Sequence, residues 1–139
     1  MKFKNSIFAT CLFAISLTGA VASELEFTSQ PYEHKQVGHL VAGQTLTVKY
    51  DTNRLDKCTA AGRLYQSYTV AYYRFDNGEI QTTGSFTELL DSKDSIVIPQ
   101  NAQSLEIWFR NYTLANPTGP AVCDAYDSDF GNNYHFEIQ

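Results

Sequence analysis

Beyond residue 22 the sequence lacks a hydrophobic run that could cross a membrane, because a span needs about 20 consecutive apolar residues. It also lacks the G-x-S-x-G, H-E-x-x-H and P-loop patterns typical of many hydrolases, metalloproteases and nucleotide-binding enzymes. Internal repeats and low-complexity tracts do not occur either. These absences favour one domain that binds a ligand without catalysing a reaction and that has no membrane span.

Basic residues are scarce, with 10 Lys and Arg against 15 Asp and Glu and a net charge of −5. Lys2 and Lys4 belong to a predicted signal peptide, so cleavage lowers the basic count to 8 and the charge to −7. A domain this acidic repels phosphates, so we expect no nucleic-acid partner. A basic exported protein would be attracted to it.

The first 22 residues are typical of a secretory signal peptide. Lys2 and Lys4 supply the positive start, residues 7–17 form a short apolar run, and Ala20-Val21-Ala22 is a cleavage motif. The run is shorter than a membrane span, which favours cleavage after Ala22, with Ser23 as the alternative, over an anchor. We therefore predict a secreted or periplasmic protein with one domain at 23–139, long enough to bury a core.

Cysteine is rare, and Cys11 lies within the predicted signal peptide. Cys58 and Cys123 remain, and an even pair in an oxidising compartment is most simply a disulfide. A metal pair and two free thiols are the alternatives, but neither cysteine has C-x-x-C spacing or a neighbouring His. We predict a Cys58–Cys123 bridge.

Short segments of alternating polarity, rich in β-branched and aromatic residues, dominate the mature chain. The clearest are residues 25–28, 46–50, 68–75, 95–98, 105–109 and 134–138. Asp76-Asn77-Gly78 predicts a hairpin turn, and no segment has a convincing helical pattern. We therefore predict an all-β fold, a single antiparallel β-sandwich of immunoglobulin-like type with about seven strands.

Alternation along a strand assigns side chains to opposite faces of the sheet. The predicted core residues are Val70, Tyr72, Leu105, Ile107, Phe109, Phe136 and Ile138. Trp108 falls on the face opposite Ile107 and Phe109. It is therefore either partly buried under a loop or part of a ligand platform.

The carboxy-terminal stretch concentrates oxygen and amide side chains around Gly131. Such a loop can hold a hydroxyl-rich ligand or a hard cation, and it is also typical of a plain turn. Asp124, Asp127 and Asp129 alternate with other residues, so they are candidate ligands for a calcium cofactor. The EF-hand order of ligands is missing, and the alternative is a solvated acidic turn.

Residues 127–134, Asp-Ser-Asp-Phe-Gly-Asn-Asn-Tyr, resemble the closing signature of starch- and glycogen-binding modules, Asp-Asn-Asn-x-Gly-x-Asn-Tyr, which usually follows a Trp. Those modules are β-sandwiches, and this loop supplies hydrogen bonds to sugar hydroxyls beside stacking aromatic rings. The resemblance implies Asp129 and Asn133 as polar contacts, Tyr126 in place of the Trp, and Tyr134 at the start of the final strand. We add Trp108 as a candidate sugar-binding residue.

Residues 50–58, 73–78, 105–109 and 126–134 are similar to an uncharacterised family of exported bacterial domains. This resemblance implies the same fold and export, and it supports the Cys58–Cys123 bridge. We expect an exported, non-enzymatic, carbohydrate-binding domain. The alternatives are an acidic protein-interaction or inhibitor module for an exported protein, and a small hydrolase built on His39 or His135.

Overall fold

The computed structural model describes residues 22–59, 65–86, 93–116 and 118–139, and within these ranges it contains nine β-strands and no α-helix. The strands are β1 (Ser23–Ser29), β2 (Tyr32–Val37), β3 (Thr45–Tyr50), β4 (Gln66–Phe75), β5 (Gln81–Phe86), β6 (Lys93–Val97), β7 (Ser104–Leu114), β8 (Ala121–Asp127) and β9 (Tyr134–Glu137). Two 3₁₀ turns are also present: η1 (Thr52–Arg54) lies between β3 and β4, and η2 (Asp129–Gly131) lies between β8 and β9. The predicted signal peptide lies outside the described residues except for Ala22, and no helix of the described part is long and apolar enough to cross a membrane.

The strands form two packed sheets, which confirms the predicted β-sandwich. The first sheet has the order β2-β1-β3-β6 and the second β5-β4-β7-β8, with β9 also pairing with β7. Two features differ from our expectation: the described part has nine strands instead of about seven, and β1 runs parallel to β3. The parallel pair arises because β2 folds back along one side of β1, and β3 then returns along its other side in the direction of β1.

The predicted hairpin turn is confirmed between β4 and β5. Asp76 and Asn77 both have positive φ values, 48° and 58°, and the Gly78 N–H donates to the Phe75 carbonyl at 2.7 Å. Positive φ at both central residues is typical of the tight turn that matches the twist of paired strands. The local sequence therefore determines this connection.

The core fills the space between the two sheets, and it corrects part of our assignment for β4. The predicted core residues Leu105, Ile107, Phe109 and Phe136 are buried, and Ile138 packs partly buried against them. Val70 and Tyr72 were wrongly predicted to be core residues, because they are only half-buried and face outward. The register places Ala71 opposite Phe109, so the other set of β4 side chains points inward.

The Cys58–Cys123 disulfide is present, with 5.5 Å between the two Cα atoms. It ties the segment after η1 to β8. The prediction of this bridge is confirmed.

Candidate ligand-binding face

Strand pairing collects aromatic side chains on the outer face of the second sheet. Tyr68 on β4 lies opposite Tyr112 on β7, and Tyr72 lies opposite Trp108. Both pairs of rings are stacked, with centroids 5.4 and 5.8 Å apart. Tyr126 on the adjacent strand β8 shares this face, because it lies opposite an outward position of β7. We call these five side chains the aromatic face.

Arg110 lies in the middle of the aromatic face. Its guanidinium is 4.6 Å from the ring centroid of Tyr112 and 6.0 Å from that of Tyr126. It donates hydrogen bonds to the Tyr72 hydroxyl, at 3.1 Å, and to the Asp124 carboxylate. The Arg110 guanidinium therefore helps to hold the tyrosine rings around it, and its charge is balanced by Asp124.

A second ion pair lies at the end of this face near β9. Glu106 accepts a hydrogen bond from Arg74 and another from Asn133, at 2.6 Å. The hydrogen bond from Arg74 is the main cause that lowers the pKa of Glu106 below its ordinary value, although partial burial opposes it. Each arginine of the described part of this face therefore has a carboxylate partner.

The loop that resembles the starch-binding signature borders Trp108. β8 ends at Asp127 and β9 begins at Tyr134, and both pair with β7 along the same edge. The residues between them therefore leave the sheet at the level of Trp108. The hydrogen bond from Asn133 to Glu106 ties the end of the loop to the outer side of β7.

The tip of this loop has an unusual backbone. Asp129, Phe130 and Gly131 have φ values of 44°, 56° and 91°. The left-handed region is strained for a bulky residue such as Phe130, and its side chain is fully exposed. The backbone N–H groups of Gly131 and Asn133 both donate to the Ser128 carbonyl, at 2.9 and 2.8 Å, and hold the turn.

The structure brings most of the predicted sugar-binding residues together. Trp108 and Tyr126 are on the aromatic face, Asn133 is at its border, and Asp129 is at the loop tip. Tyr134 begins the final strand as predicted, but its side chain points into the core and is 4% exposed. A ligand on the outer face therefore has no access to Tyr134.

The three carboxylates proposed as calcium ligands do not converge. Asp124 faces outward and pairs with Arg110, whereas Asp127 faces inward and pairs with Arg54. They lie on opposite faces because an odd number of positions separates them along β8. Among the residues that the structure describes, no group of three or more His, Cys, Asp or Glu is arranged to hold a metal ion. The geometry gives calcium binding no support, and a calcium titration is needed to test it.

Asp127 is instead the centre of a buried polar cluster that the sequence did not reveal. Its carboxylate accepts hydrogen bonds from Arg54 Nε at 2.7 Å and from the hydroxyls of Tyr50, Tyr32 and Tyr134 at 3.0, 3.0 and 2.5 Å. Burial alone would raise the pKa of Asp127, but the hydrogen bonds from Arg54 and Tyr134 keep it below its ordinary value. Burial, together with the nearby Asp127 charge, raises the pKa of Tyr50 and of Tyr134.

The cluster is structural. Tyr32 and Tyr50 come from the first sheet, and Asp127 and Tyr134 come from the second, so the hydrogen bonds join the two layers. The Arg54 guanidinium also lies 3.8 Å from the Tyr32 ring centroid. These hydrogen bonds satisfy the buried charges of Arg54 and Asp127, which explains how the ion pair is accommodated between the sheets.

Sequence reasoning missed Tyr68, Tyr72, Arg110 and Tyr112 as members of the candidate site. A signal was present, because Tyr68 and Tyr72, like Trp108 and Tyr112, are separated by an even number of positions and so share a face. That pattern does not show that β4 and β7 are neighbours in the sheet, so it could not reveal that these side chains share one site.

Comparison with curated proteins and with solved structures found no match. A family model described as a family of unknown function (DUF6209) matches residues 13–139. This match confirms the resemblance to an uncharacterised domain and brings no activity with it. Because the match covers most of the length of the chain, the chain belongs to the family of unknown function DUF6209.

Proposed function

We propose that this protein is an exported, non-enzymatic carbohydrate-binding domain. The observation that carries the proposal is the aromatic face, on which the Tyr72–Trp108 pair lies beside the polar loop and the Tyr68–Tyr112 pair lies further along β7. Sugar rings present C–H groups that pack on aromatic side chains, and their hydroxyls need hydrogen-bond partners at the rim. We assign this role to Asn133, at the border of the aromatic face, and to Asp129, at the loop tip.

Preorganisation of the rings supports this proposal. Tyr72 is stacked on Trp108 and accepts a hydrogen bond from Arg110, and Tyr112 is stacked on Tyr68. Side chains that are held before the ligand arrives lose little conformational entropy on binding. Tyr and Trp also provide a large contact area with few rotatable bonds.

Two observations support export. The Cys58–Cys123 disulfide is the kind of bond that persists in oxidising compartments, and residues 1–22 are typical of a signal peptide. We therefore place the protein in the periplasm or the extracellular medium.

The proposal is tested by pull-down with starch, glycogen and insoluble cell-wall polysaccharides, followed by titration with a polysaccharide that binds. Loss of one stacking ring should weaken binding about ten-fold in Trp108→Ala, since aromatic contacts contribute on the order of 1 kcal/mol beyond the area that they bury. Val97→Ala is the control, because Val97 is 71% exposed on β6 of the other sheet. Absence of binding to all of these polysaccharides, or full affinity in a folded Trp108→Ala protein, would refute the proposal.

A protein-interaction module is the second candidate, and the edge strand β8 favours it. Val122, Tyr126 and Phe130 on β8 and its following loop are 57%, 55% and 101% exposed. An edge strand with exposed apolar side chains suits pairing with a partner strand, and the acidic charge would attract a basic protein. Affinity capture from exported proteins separates the two functions: this candidate requires a protein partner that dissociates as salt rises, whereas elution by sugar supports the first.

A further inference from the structure

We infer that the aromatic face recognises an extended, uncharged polysaccharide chain that lies along β7, and not a single sugar. This inference rests on the proposed carbohydrate-binding function and specifies its ligand. It follows from the spacing of the rings and from the pairing of the charges around them.

The rings form a track that is longer than one sugar. Trp108 and Tyr112 are four positions apart on β7, which corresponds to about 13 Å along an extended strand. Each is paired with a tyrosine of β4, so two aromatic pairs lie at this separation, and we take each pair as one contact point for the ligand. Tyr126 lies level with Arg110, midway between them. One sugar ring cannot contact both ends, whereas a chain of several sugars can.

The charges of this face favour an uncharged ligand. Arg110 pairs with Asp124 and Arg74 pairs with Glu106, so both arginines are already neutralised by carboxylates. An anionic polysaccharide would need unpaired cations, and it would also be repelled by the net negative charge of the protein. The hydroxyl groups of a neutral sugar do not need unpaired cations, because they can donate hydrogen bonds to, and accept them from, neutral or ion-paired polar groups.

The test is calorimetric titration with malto-, cello-, xylo- and manno-oligosaccharides of two and six units, with hexagalacturonate as the anionic comparator. The hexasaccharide of the bound series should bind at least about ten-fold more tightly than its disaccharide, because only the longer chain reaches both contact points. Hexagalacturonate should bind more weakly than the neutral hexasaccharide.

Variants locate this effect. Tyr112→Ala and Tyr68→Ala each remove one member of the distal pair and should abolish most of the affinity gained with chain length. Tyr65→Ala is the matched control, because Tyr65 is 47% exposed but lies in the hollow beside the disulfide. Thermal melts of all variants establish that they are folded, and two independent variants keep the test valid if one is not.

Equal affinity for the two chain lengths, an unchanged length dependence in both folded variants, or tighter binding of hexagalacturonate would overturn the inference. Those outcomes would leave carbohydrate binding itself intact. Failure of every oligosaccharide and of every polysaccharide in the pull-down would overturn the proposed function, and the inference with it.

Discussion

Arg54 and Asp127 form a buried ion pair that joins the two sheets of the sandwich. Arg54 Nε lies 2.7 Å from Asp127 Oδ2, and the two side chains are 1% and 2% exposed. Arg54 Nη1 also donates to the carbonyls of Thr28 and Glu33 in the first sheet, at 2.7 and 2.6 Å, and Nη2 donates to the Tyr134 hydroxyl in the second sheet, at 2.9 Å. Asp127 was a candidate ligand by its position in the acidic loop, but its partners make it a structural residue.

Removing one partner of this pair should destabilise the protein strongly. Asp127→Ala leaves the Arg54 charge buried without a carboxylate, and we expect a loss of about 3–5 kcal/mol in the free energy of unfolding. Asp124→Ala is the matched control, because its pair with Arg110 is partly exposed and should contribute about 1 kcal/mol or less. Urea titration measures both, and equal losses in the two variants would contradict the structural role of Asp127.

Acid should weaken the fold through the same carboxylate. The pKa of Asp127 is lowered in the folded state, so its stabilising contribution is complete above the ordinary value near 3.9 and is lost as pH falls through the lower folded value. The lowered pKa of Glu106 acts in the same direction. The free energy of unfolding, measured by urea titration from pH 6 to pH 2, should therefore decrease below about pH 4. The same acid dependence in Asp127→Ala would show that Asp127 is not its source.

Relief of backbone strain at the loop tip should stabilise the fold. Phe130 has a φ of 56° and a fully exposed side chain, so Phe130→Gly loses few contacts and gains a residue suited to that conformation. We expect the free energy of unfolding to rise by about 1 kcal/mol in urea titration. Phe130→Ala removes the same ring without relieving the strain and should be close to neutral. A clear loss of stability in both variants would mean that the Phe130 ring is a structural contact.

The disulfide should be formed in protein exported normally. Intact mass without reductant should be about 2 Da below that of the dithiol, the two hydrogens lost in forming the bridge. The bridge closes a loop with a sequence separation of 65, and replacing both Cys58 and Cys123 by Ser should cost about 4 kcal/mol by the chain-entropy relation. Free thiols at both positions in the exported protein would contradict this prediction.

Calcium should not change the melting temperature. Asp124 and Asp127 point to opposite sides of β8, and each already has an arginine partner. Ions that bind only the folded state raise its stability by about 2.7 kcal/mol at 100 times the dissociation constant, which shifts the melting temperature by several degrees. Melts in excess chelator and in calcium at roughly millimolar concentration, the range of extracellular sites, should coincide. An upward shift with calcium would restore Asp124, Asp127 and Asp129 as candidate ligands.

The amino-acid sequence alone determined the fold class, the β4–β5 turn and the disulfide. These follow from local rules, since alternation defines strands, Asp76 and Asn77 adopt the positive φ values of a tight turn, and two cysteines have only one way to pair. The same rules identified Ile107 and Phe109 as core residues. In β7 every residue of the inward set from Leu105 to Phe109 is apolar, so its pattern is unambiguous.

Only the tertiary structure decided which face of β4 is buried and where the aromatic face lies. Both sets of β4 side chains contain large apolar residues, so the choice between Val70 and Ala71 depends on the register with β7. Trp108 and Tyr72 are 36 positions apart in the chain, and they stack because β4 and β7 are neighbours in the sheet. The role of Asp127 has the same origin, because its partners Tyr32, Tyr50 and Arg54 are distant in sequence and meet it only when the two sheets pack together.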